Sequence, residues 1–457
     1  MRTITIHDTL SGELRPLRAP DAERAFGIYA CGPTVYSRIH IGNARPFVVF
    51  SLLKRFLEHE GYDVDLVINV TDVNDKIYDA ARRSNPVRPR PSAELAVEMT
   101  DFYRADTDAL GLGRPDHEPL ASETIAPIVE YIQTLIVGGH AYAVDGDVYF
   151  RVRSDPGYGT LSHRQLENMD QGEDAASDPL VARKEDPLDF ALWKAHKPGE
   201  DTCWEAPWGV GRPGWHIECS AMAEQFLGVD FDIHGGGSDL VFPHHENEAA
   251  QTRAARGEPL AKLWMHNGMI QFTGEKMAKS VGNIALLVEV LDRYGHEAVV
   301  MYLVSGHYRQ PLAFSEAALE QAQANVKRIR EAGRRLSPGT SPADLAPLRD
   351  RFFDALARDF NTAEALAVLN EWLGEATSST RDSVGDAHLR EMLGVLGLES
   401  LLAADEQPPE EVRALAMARE QARGDRDFAA ADRLRDEIAA LGWEVRDGPN
   451  GFDLIPL

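Results

Sequence analysis

The sequence predicts an α/β protein in which a domain built on an open parallel sheet is followed by a helical bundle and a small C-terminal α/β module. An apolar run, a helix-periodic stretch and a second apolar run succeed one another over residues 26–70, which is the pattern of a βαβ unit. Apolar residues then recur at helical spacing through most of 286–402. A linker at 405–411 with two prolines separates this part from two further helices and a hairpin.

The first βαβ unit places two distinctive groups at one edge of the sheet. Phe26–Ala30 has the pattern of a buried strand, and Cys31 stands where the strand ends. The sequence HIGN, residues 40–43, opens the following helix, whose free N–H groups and positive dipole end suit a phosphate. Because ligands of open parallel sheets bind at this edge, we expect His40 and Gly42 to lie in a nucleotide site. A His-x-Gly sequence at a helix start also occurs without any such role.

The elements that follow continue the α/β pattern. Residues 62–70 are the next predicted strand, and Thr71 and Asp72 at its end lie either on the ligand edge or in a helix cap. Helical patterns and a hairpin follow, the latter over 141–151. The segment 155–200 is rich in Asp, Glu, Gly and Pro, which predicts a surface insertion between two halves of the sheet domain.

A second strand leads to an unusual run of glycines. Phe231–His234 is followed directly by Gly235, Gly236 and Gly237. Three glycines at a strand end would allow a flat ligand to lie on bare backbone, and the alternative is a flexible turn.

Bulk composition restricts the class of protein. The chain has 457 residues and a formal net charge of −26, which argues against general affinity for nucleic acids because contacts to phosphate need Lys and Arg. Its three widely spaced cysteines do not form a disulfide framework, so we expect a reducing compartment. No stretch is long and apolar enough for a membrane span, and the N-terminus lacks the layout of a signal peptide.

Four potential metal ligands fall near predicted strand ends or helix starts, namely Cys31, Cys219, His244 and Glu248. His244 and Glu248 are four residues apart on a predicted helix, so their side chains project from one face. Two thiolates, an imidazole and a carboxylate suit tetrahedral zinc. Spacing alone does not distinguish such a site from an ordinary solvated His–Glu pair.

Six motifs, in this order, resemble the cysteinyl-tRNA synthetase family of class I aminoacyl-tRNA synthetases: ACGPTVY, NVTDVNDKI, GWHIECSAM, HGGGSDLVFPHHENE, WMHNG and KMAKS. They cover residues 25–315 almost without interruption, and the tail GDRDFAAADRLRDEIAALGWEVRDGPNG resembles the family's anticodon-binding module. HIGN and KMAKS are similar to the paired signatures His-Ile-Gly-His and Lys-Met-Ser-Lys-Ser. Asn43 and Ala278 depart from them, but Asn43 keeps a hydrogen-bonding side chain and Ala278 leaves both lysines in place.

The resemblance implies a Rossmann-like class I synthetase catalytic domain with a parallel sheet. The implied division is 1–154 for its first half, 155–200 for the surface insertion, 201–265 for its second half with the zinc site, 266–312 for the KMSKS-type loop and connecting domain, 313–404 for the helical bundle and 405–457 for the anticodon-binding module.

The implied activity is that of a cysteine–tRNA ligase, which activates L-cysteine with ATP and Mg²⁺ to cysteinyl-adenylate and transfers it to tRNA(Cys). By resemblance one Zn²⁺ per chain is held by Cys31, Cys219, His244 and Glu248 and reads the substrate thiolate. An apolar pocket would separate cysteine from serine only weakly. Cys203 matches no family ligand and is expected to be a bystander. We expect a cytoplasmic monomer with no membrane partner.

The resemblance also implies the site residues. The expected catalytic residues are His40, Lys276 and Lys279. The expected ATP-binding residues are His40, Gly42, Asn43, Gly235, Gly236, Gly237, Lys276 and Lys279. The expected cysteine-binding residues are Cys31, Gly32, Thr71, Trp215 and Asp239, with Asp239 facing the ammonium. The expected anticodon contacts are Arg423, Asp432 and Asp447.

Several interpretations stay open at this point. A related ligase that joins activated cysteine to an amino sugar would share the fold, the zinc and the adenylate chemistry, and a non-catalytic paralogue could bind zinc or tRNA as a sensor. In the tail, Arg419, Arg423 and Arg426 can share a helix face beside Trp443, where they could hold phosphates while the indole stacks on a base. Ordinary ion pairing is the alternative. After Gly451 the chain departs from the family pattern.

Overall fold

The chain folds into two units, Met1–Leu401 and Leu402–Leu457. The computed structural model describes residues 2–84, 90–166, 183–272, 285–381, 383–403, 408–448 and 451–456. The strands of the larger unit are β1 Thr5–Asp8, β2 Glu13–Pro16, β3 Phe26–Ala30, β4 Val64–Ile68, β5 Ala141–Val144, β6 Asp147–Phe150, β7 Phe190–Ala195, β8 Gly211–Pro213, β9 Phe231–Gly237, β10 Ala261–Asn267, β11 Ile270–Phe272 and β12 Leu312–Phe314. Its helices are α1 Ile41–His59, α2 Asp75–Ser84, α3 Ser92–Asp108, α4 Ile125–Val137, α5 Trp215–Leu227, α6 Glu246–Arg256, α7 Leu287–Tyr294, α8 His296–Leu303, α9 Glu316–Arg334, α10 Ala346–Ala357, α11 Thr362–Ala376 and α12 Ala387–Val395.

A four-stranded parallel sheet in the order β10-β9-β3-β4 lies at the centre of the larger unit. β3 and β9 are its middle strands, and every residue of both is buried. From β3 the chain moves outward to β4, and from β9 it moves outward on the other side to β10. Between β3 and β9 the direction of winding therefore reverses, and open parallel sheets bind ligands at such a point, beyond the carboxyl ends of the strands.

The helix α1 connects β3 to β4 and confirms the predicted βαβ unit. Its predicted apolar face is buried throughout, at Phe47, Val48, Phe50, Leu52, Leu53, Phe56 and Leu57. The helix begins after His40, whose extended backbone and ring nitrogen cap its first turn. Burial of this face fixes the helix N-terminus at the ligand edge of the sheet.

The segment 155–200, predicted as a surface insertion, contains a strand near its C-terminal end. The strand β7 is an inner strand of a second sheet with the antiparallel order β5-β6-β7-β8. Phe190, Leu192 and Trp193 are buried in a core that also contains the apolar face of α4. Residues 167–182 lie outside the described part of the chain. The other domain boundaries stay predictions.

Helices α9 to α12 form the predicted helical bundle, in which α10 and α11 are a closely packed pair. The smaller unit contains α13 Glu410–Gly424, α14 Phe428–Ala440, β13 Trp443–Gly448 and β14 Gly451–Pro456. The two strands form an antiparallel hairpin, as the sequence predicts. Among the described residues, no helix combines the length and the apolar character needed to cross a membrane.

Candidate active site and metal centre

The four predicted metal ligands come together where β3 and β9 end. Cys31 directly follows β3, and its N–H donates to the Gly235 carbonyl of β9 at 3.0 Å. Cys219 lies in α5, His244 precedes α6 and Glu248 lies in the first turn of α6. All four side chains are buried, so three separate segments of the chain converge on one enclosed point.

The distances among these side chains fit a single tetrahedral ion. The Cys31 sulfur lies 3.8 Å from that of Cys219, 3.6 Å from His244 Nε2 and 3.8 Å from Glu248 Oε1. His244 Nε2 and Glu248 Oε1 are 3.0 Å apart. Zinc bonds of about 2.3 Å to sulfur and about 2.0–2.1 Å to nitrogen or oxygen separate tetrahedral ligand atoms by roughly 3.3–3.8 Å. The three distances from Cys31 lie in this range and the His244–Glu248 distance is about 0.3 Å shorter, so the donor set and most of the spacing fit Zn²⁺.

Proton positions in this cluster are set by the neighbouring charges. A hydrogen bond from Cys31 lowers the pKa of the Cys219 thiol to about 6, whereas burial raises the pKa of Cys31 well above its usual value. Burial opposes ionisation of Glu248, but His244 and His234 outweigh it and lower the pKa of this carboxyl to about 2. For His244, Glu248 and Cys219 outweigh burial and raise the pKa to about 10. The cluster therefore holds protons on Cys31 and His244 that a metal ion would displace.

A shell of histidines surrounds these ligands, and it is not among the sites that the sequence predicts. The Nδ1 atoms of His216 and His244 are 3.0 Å apart, and His234 Nε2 lies 2.7 Å from Glu248 Oε2. His245 Nε2 is 3.3 Å from the Cys31 sulfur. Such partners orient metal ligands. The signal available in the sequence was the presence of additional histidines inside GWHIEC and HHENE.

Of the residues predicted to bind the amino acid, Trp215 contacts the cluster directly. Trp215 stacks on the His244 ring at 4.2 Å between centroids with an interplanar angle of 18°. Thr71 is buried, and its hydroxyl accepts from Asn69 Nδ2 at 3.3 Å. The Gly32 N–H donates to Asn69 Oδ1 at 2.9 Å, and a Cβ at Gly32 would collide with the Asn69 carbonyl. Asp239 is exposed in the turn after β9 and lies against Gly237.

The start of α1 is preorganised by a reciprocal cap. The Gly42 N–H donates to His40 Nδ1 at 3.0 Å, and the His40 N–H donates to Asn43 Oδ1 at 3.2 Å. Asn43 thus has a structural role in the position where the family signature has histidine. Burial lowers the pKa of His40, which agrees with a neutral ring whose Nδ1 accepts and whose Nε2–H is left to donate. A Cβ at Gly42 would approach the His40 ring to 2.8 Å, so the glycine also makes room for this cap.

Residues 285–287, which follow the predicted lysine motif, lie beside the start of α1. Lys276 and Lys279 lie outside the described residues. The Ile41 N–H donates to the Ala285 carbonyl at 3.1 Å, and the Leu287 N–H donates to the Ile39 carbonyl at 3.0 Å. The chain that follows the lysine motif is therefore anchored beside His40.

The glycines at the end of β9 are required by packing within the protein. A Cβ at Gly235 would collide with the Phe50 ring of α1, and one at Gly236 would approach Leu240 to 2.9 Å and His245 to 3.1 Å. A flexible turn does not describe them, because all three belong to the strand. A contact with adenosine stays a prediction.

Replacing Gly235 with alanine is expected to lower the melting temperature, since overpacking of a core costs about 1–3 kcal/mol. The double variant Gly235→Ala, Phe50→Leu should recover part of this loss, because the smaller side chain removes the collision with the ring but not the close approach to the Met265 carbonyl at 2.9 Å. Thermal unfolding of both, with Phe50→Leu as the control, measures this coupling. An unchanged melting temperature for Gly235→Ala would contradict the packing role.

In the smaller unit, two sequence predictions are wrong. Arg419 and Trp443 are buried, so neither can act as an exposed phosphate or base contact. Trp443 packs in the unit's core with Val412, Ala416, Ile438 and Val445. Arg423 and Asp432 are exposed, and Asp432 lies 3.4 Å from Arg435. The Asp447 side chain lies outside the described part of the chain.

Comparisons with known proteins agree with this arrangement. Residues 18–324 match the family model of the tRNA synthetases class I (C) catalytic domain, and residues 405–451 match that of the cysteinyl-tRNA ligase anticodon binding domain. The chain is 46% identical over 445 residues to the cysteine–tRNA ligase of Symbiobacterium thermophilum, with 93% of each chain covered. It is 43% identical over 471 residues to that of Geobacillus thermodenitrificans, covering 99% of this chain and 98% of the relative.

A solved structure supports the fold class. The methionyl-tRNA synthetase of Mycobacterium tuberculosis, in complex with methionyl-adenylate, superimposes with a TM-score of 0.60. The match covers 89% of this chain and 96% of that one at 17% sequence identity. The predicted α/β class I synthetase fold is confirmed.

Proposed function

Since the chain belongs to the cysteine–tRNA ligases of the class I aminoacyl-tRNA synthetases, we propose that it activates L-cysteine with ATP and transfers the cysteinyl group to tRNA(Cys). Zinc reading of the substrate sulfur is the finer part of this proposal. The observation that carries it is the buried cluster of Cys31, Cys219, His244 and Glu248 at the ligand edge of the sheet, beside the capped start of α1.

The metal explains how cysteine would be separated from serine. When bound to the four ligands, Zn²⁺ supplies a Lewis-acid contact that prefers the substrate thiolate to a hydroxyl. An apolar pocket alone would discriminate by only about 10–200-fold. The protein's own part is to enclose this contact. Trp215 covers His244, and the surrounding histidines hold the ligand side chains in place.

In the activation step, the cysteine carboxylate attacks the α-phosphorus of ATP, and pyrophosphate leaves with its bonding electron pair. The His40 Nε2–H and the positive dipole end of α1 would bind the triphosphate with Mg²⁺, together with Lys276 and Lys279. Asn43 keeps His40 oriented through its cap hydrogen bond. Asp239 would accept from the substrate ammonium, and Gly235, Gly236 and Gly237 would face the adenosine. A ribose hydroxyl of tRNA then attacks the activated carbonyl and releases AMP.

The C-terminal unit favours tRNA over an amino sugar as the acceptor. Residues 405–451 match an anticodon-binding domain, and a ligase for a small acceptor has no use for such a unit. By resemblance Arg423, Asp432 and Asp447 would contact the anticodon. We also propose that the chain acts as a monomer in the cytoplasm.

Pyrophosphate exchange and tRNA charging, measured side by side, test this function. We expect exchange that depends on cysteine and is at least about 10³-fold weaker with serine, which exceeds what an apolar pocket provides. Charging should require tRNA(Cys). Exchange without charging would indicate a small-molecule acceptor, and the absence of both would indicate a non-catalytic binding protein.

A further inference from the structure

Arg45 is a buried cation without a buried anion. It lies in α1 only two residues after Asn43, and its side chain is fully buried. Among the described residues, no carboxylate forms an ion pair with it. Its Nη1 donates to the Gly268 carbonyl at 2.6 Å and the Met269 carbonyl at 3.4 Å, and its Nη2 donates to the His307 carbonyl at 3.3 Å. All three acceptors are neutral.

Burying an unpaired cation in this way lowers the stability of the folded chain. A buried charge normally has an opposite charge beside it, because removing an ion from water costs several kcal/mol. Burial lowers the pKa of Arg45 to about 10, so the side chain still carries its charge at neutral pH. A cation near a helix N-terminus is also at the unfavourable end of the helix dipole. Packing alone would be served as well by an apolar side chain.

Arg45 joins α1 to the connection from β10 to β11 and to the segment of His307. Gly268 and Met269 form the connection from β10 to β11, and Gly268 is packed so tightly against Gln310 that a Cβ there would collide with it. The Ile270 Cβ lies 3.8 Å from the position that a Cβ of Gly42 would take. The guanidinium therefore ties the first turns of α1 to the Gly268–Met269 connection. The residue after this connection, Ile270, packs near Gly42.

We propose that Arg45 is a positioning residue for ATP, which holds the capped start of α1 and the Gly268–Met269 connection in the geometry that the triphosphate requires. The inference rests on the proposed function. The fork of two guanidinium nitrogens is the essential feature, because it presents a separate nitrogen to the Gly268 and the His307 carbonyls, whereas an ammonium has all its donors on one atom. Arg45 acts through these segments and does not contact the substrate itself.

The test compares Arg45→Lys and Arg45→Met with the unchanged chain in cysteine-dependent pyrophosphate exchange. Small misplacements of reacting groups cost up to about 10²-fold in rate, so we expect kcat/KM for ATP to fall about 10–100-fold in both variants. The KM for cysteine should stay within about twofold, and zinc content should stay at one ion per chain, since Arg45 contacts no metal ligand.

The matched control is Arg55→Lys, at the other end of α1. Arg55 also donates to backbone carbonyls, at 2.9 Å to Gly394 and 3.5 Å to Leu112, but it borders no substrate. We expect it to leave all kinetic constants near those of the unchanged chain. Melting temperatures of the three variants distinguish a positioning role from a purely structural one. A purely structural role would lower the melting temperature without affecting the KM for ATP more than the KM for cysteine.

Three outcomes would overturn the inference: full activity in Arg45→Lys, which would leave only charge as important; a KM for cysteine that rises as much as the KM for ATP; or unchanged kinetics in both variants. If the unchanged chain shows no cysteine-dependent exchange, the proposed function fails instead. The two failures are therefore distinguishable in one set of assays.

Discussion

Cys219→Ser is expected to lose bound zinc and cysteine activation together. Loss of a partner that only orients a metal ligand costs about 10–100-fold, so loss of a ligand itself should cost on the order of 10³-fold or more in cysteine-dependent pyrophosphate exchange. The pKa of the Cys219 thiol is lowered to about 6, so this ligand is already a thiolate near neutral pH. A serine hydroxyl stays protonated there and is a poor zinc ligand.

Metal analysis by mass spectrometry and the exchange assay, run on the same preparation, measure both effects. Cys203→Ser is the matched control, since Cys203 is the exposed cysteine and lies in no ligand group. It should keep one zinc ion per chain and full activity. Full zinc content in Cys219→Ser, or cysteine-selective exchange without metal, would show that the site is built differently.

Acidification of the unchanged chain should release the metal. The metal-free Cys219 thiolate regains its proton as the pH falls through about 6. Because a bound ion holds its thiolate deprotonated, zinc retention measured by dialysis should fall only at pH values below that range, where protons compete with the metal for its ligands.

Sequence reasoning succeeded where the pattern was local and periodic. The strand Phe26–Ala30 and the helix that follows it have unbroken apolar patterns, and both lie where the sequence predicts. The strand β7 was missed because its short apolar run, FALWKA, follows a long acidic and proline-containing stretch. Composition averaged over 155–200 concealed a local strand that pairs with β6, far away in the sequence.

Some residues of the candidate site could be predicted from the sequence, and others depend on contacts between distant elements. The four metal ligands could be found because their chemistry is distinctive and the motifs resemble a family. The role of Gly235 could not be found, because the Phe50 ring that requires it belongs to another element. The histidine shell likewise depends on how α5, β9 and α6 converge, which no periodicity records. Tertiary contacts of this kind follow from the fold and not from local sequence.

The burial of Trp443 corrects the interpretation of the tail in physical terms. A unit of about fifty residues has few large apolar side chains and must bury those it has. Trp443 supplies the largest of them to the core between α13, α14 and the hairpin. In the proposed function, the groups of this unit that are placed to contact tRNA are exposed ones such as Arg423.

Deleting residues 402–457 is expected to leave cysteine-dependent pyrophosphate exchange within about twofold and to reduce tRNA charging on the order of 10²-fold or more. The deletion removes one whole unit with its own core. A loss of about 2.8 kcal/mol in tRNA binding corresponds to 10²-fold, and a few charge-assisted contacts to anticodon and phosphate supply that much.

Two point variants separate the fold of this unit from its contacts. Trp443→Ala should reproduce the deletion, because truncating a buried tryptophan costs about 3–5 kcal/mol, which a unit this small cannot absorb. Arg423→Gln should lower charging and leave the unit folded, since this side chain is exposed. The ratio of charging to exchange is the decisive quantity for all three proteins. Equal loss of both activities would mean that the unit only stabilises the chain, and unchanged charging would mean that tRNA is recognised elsewhere.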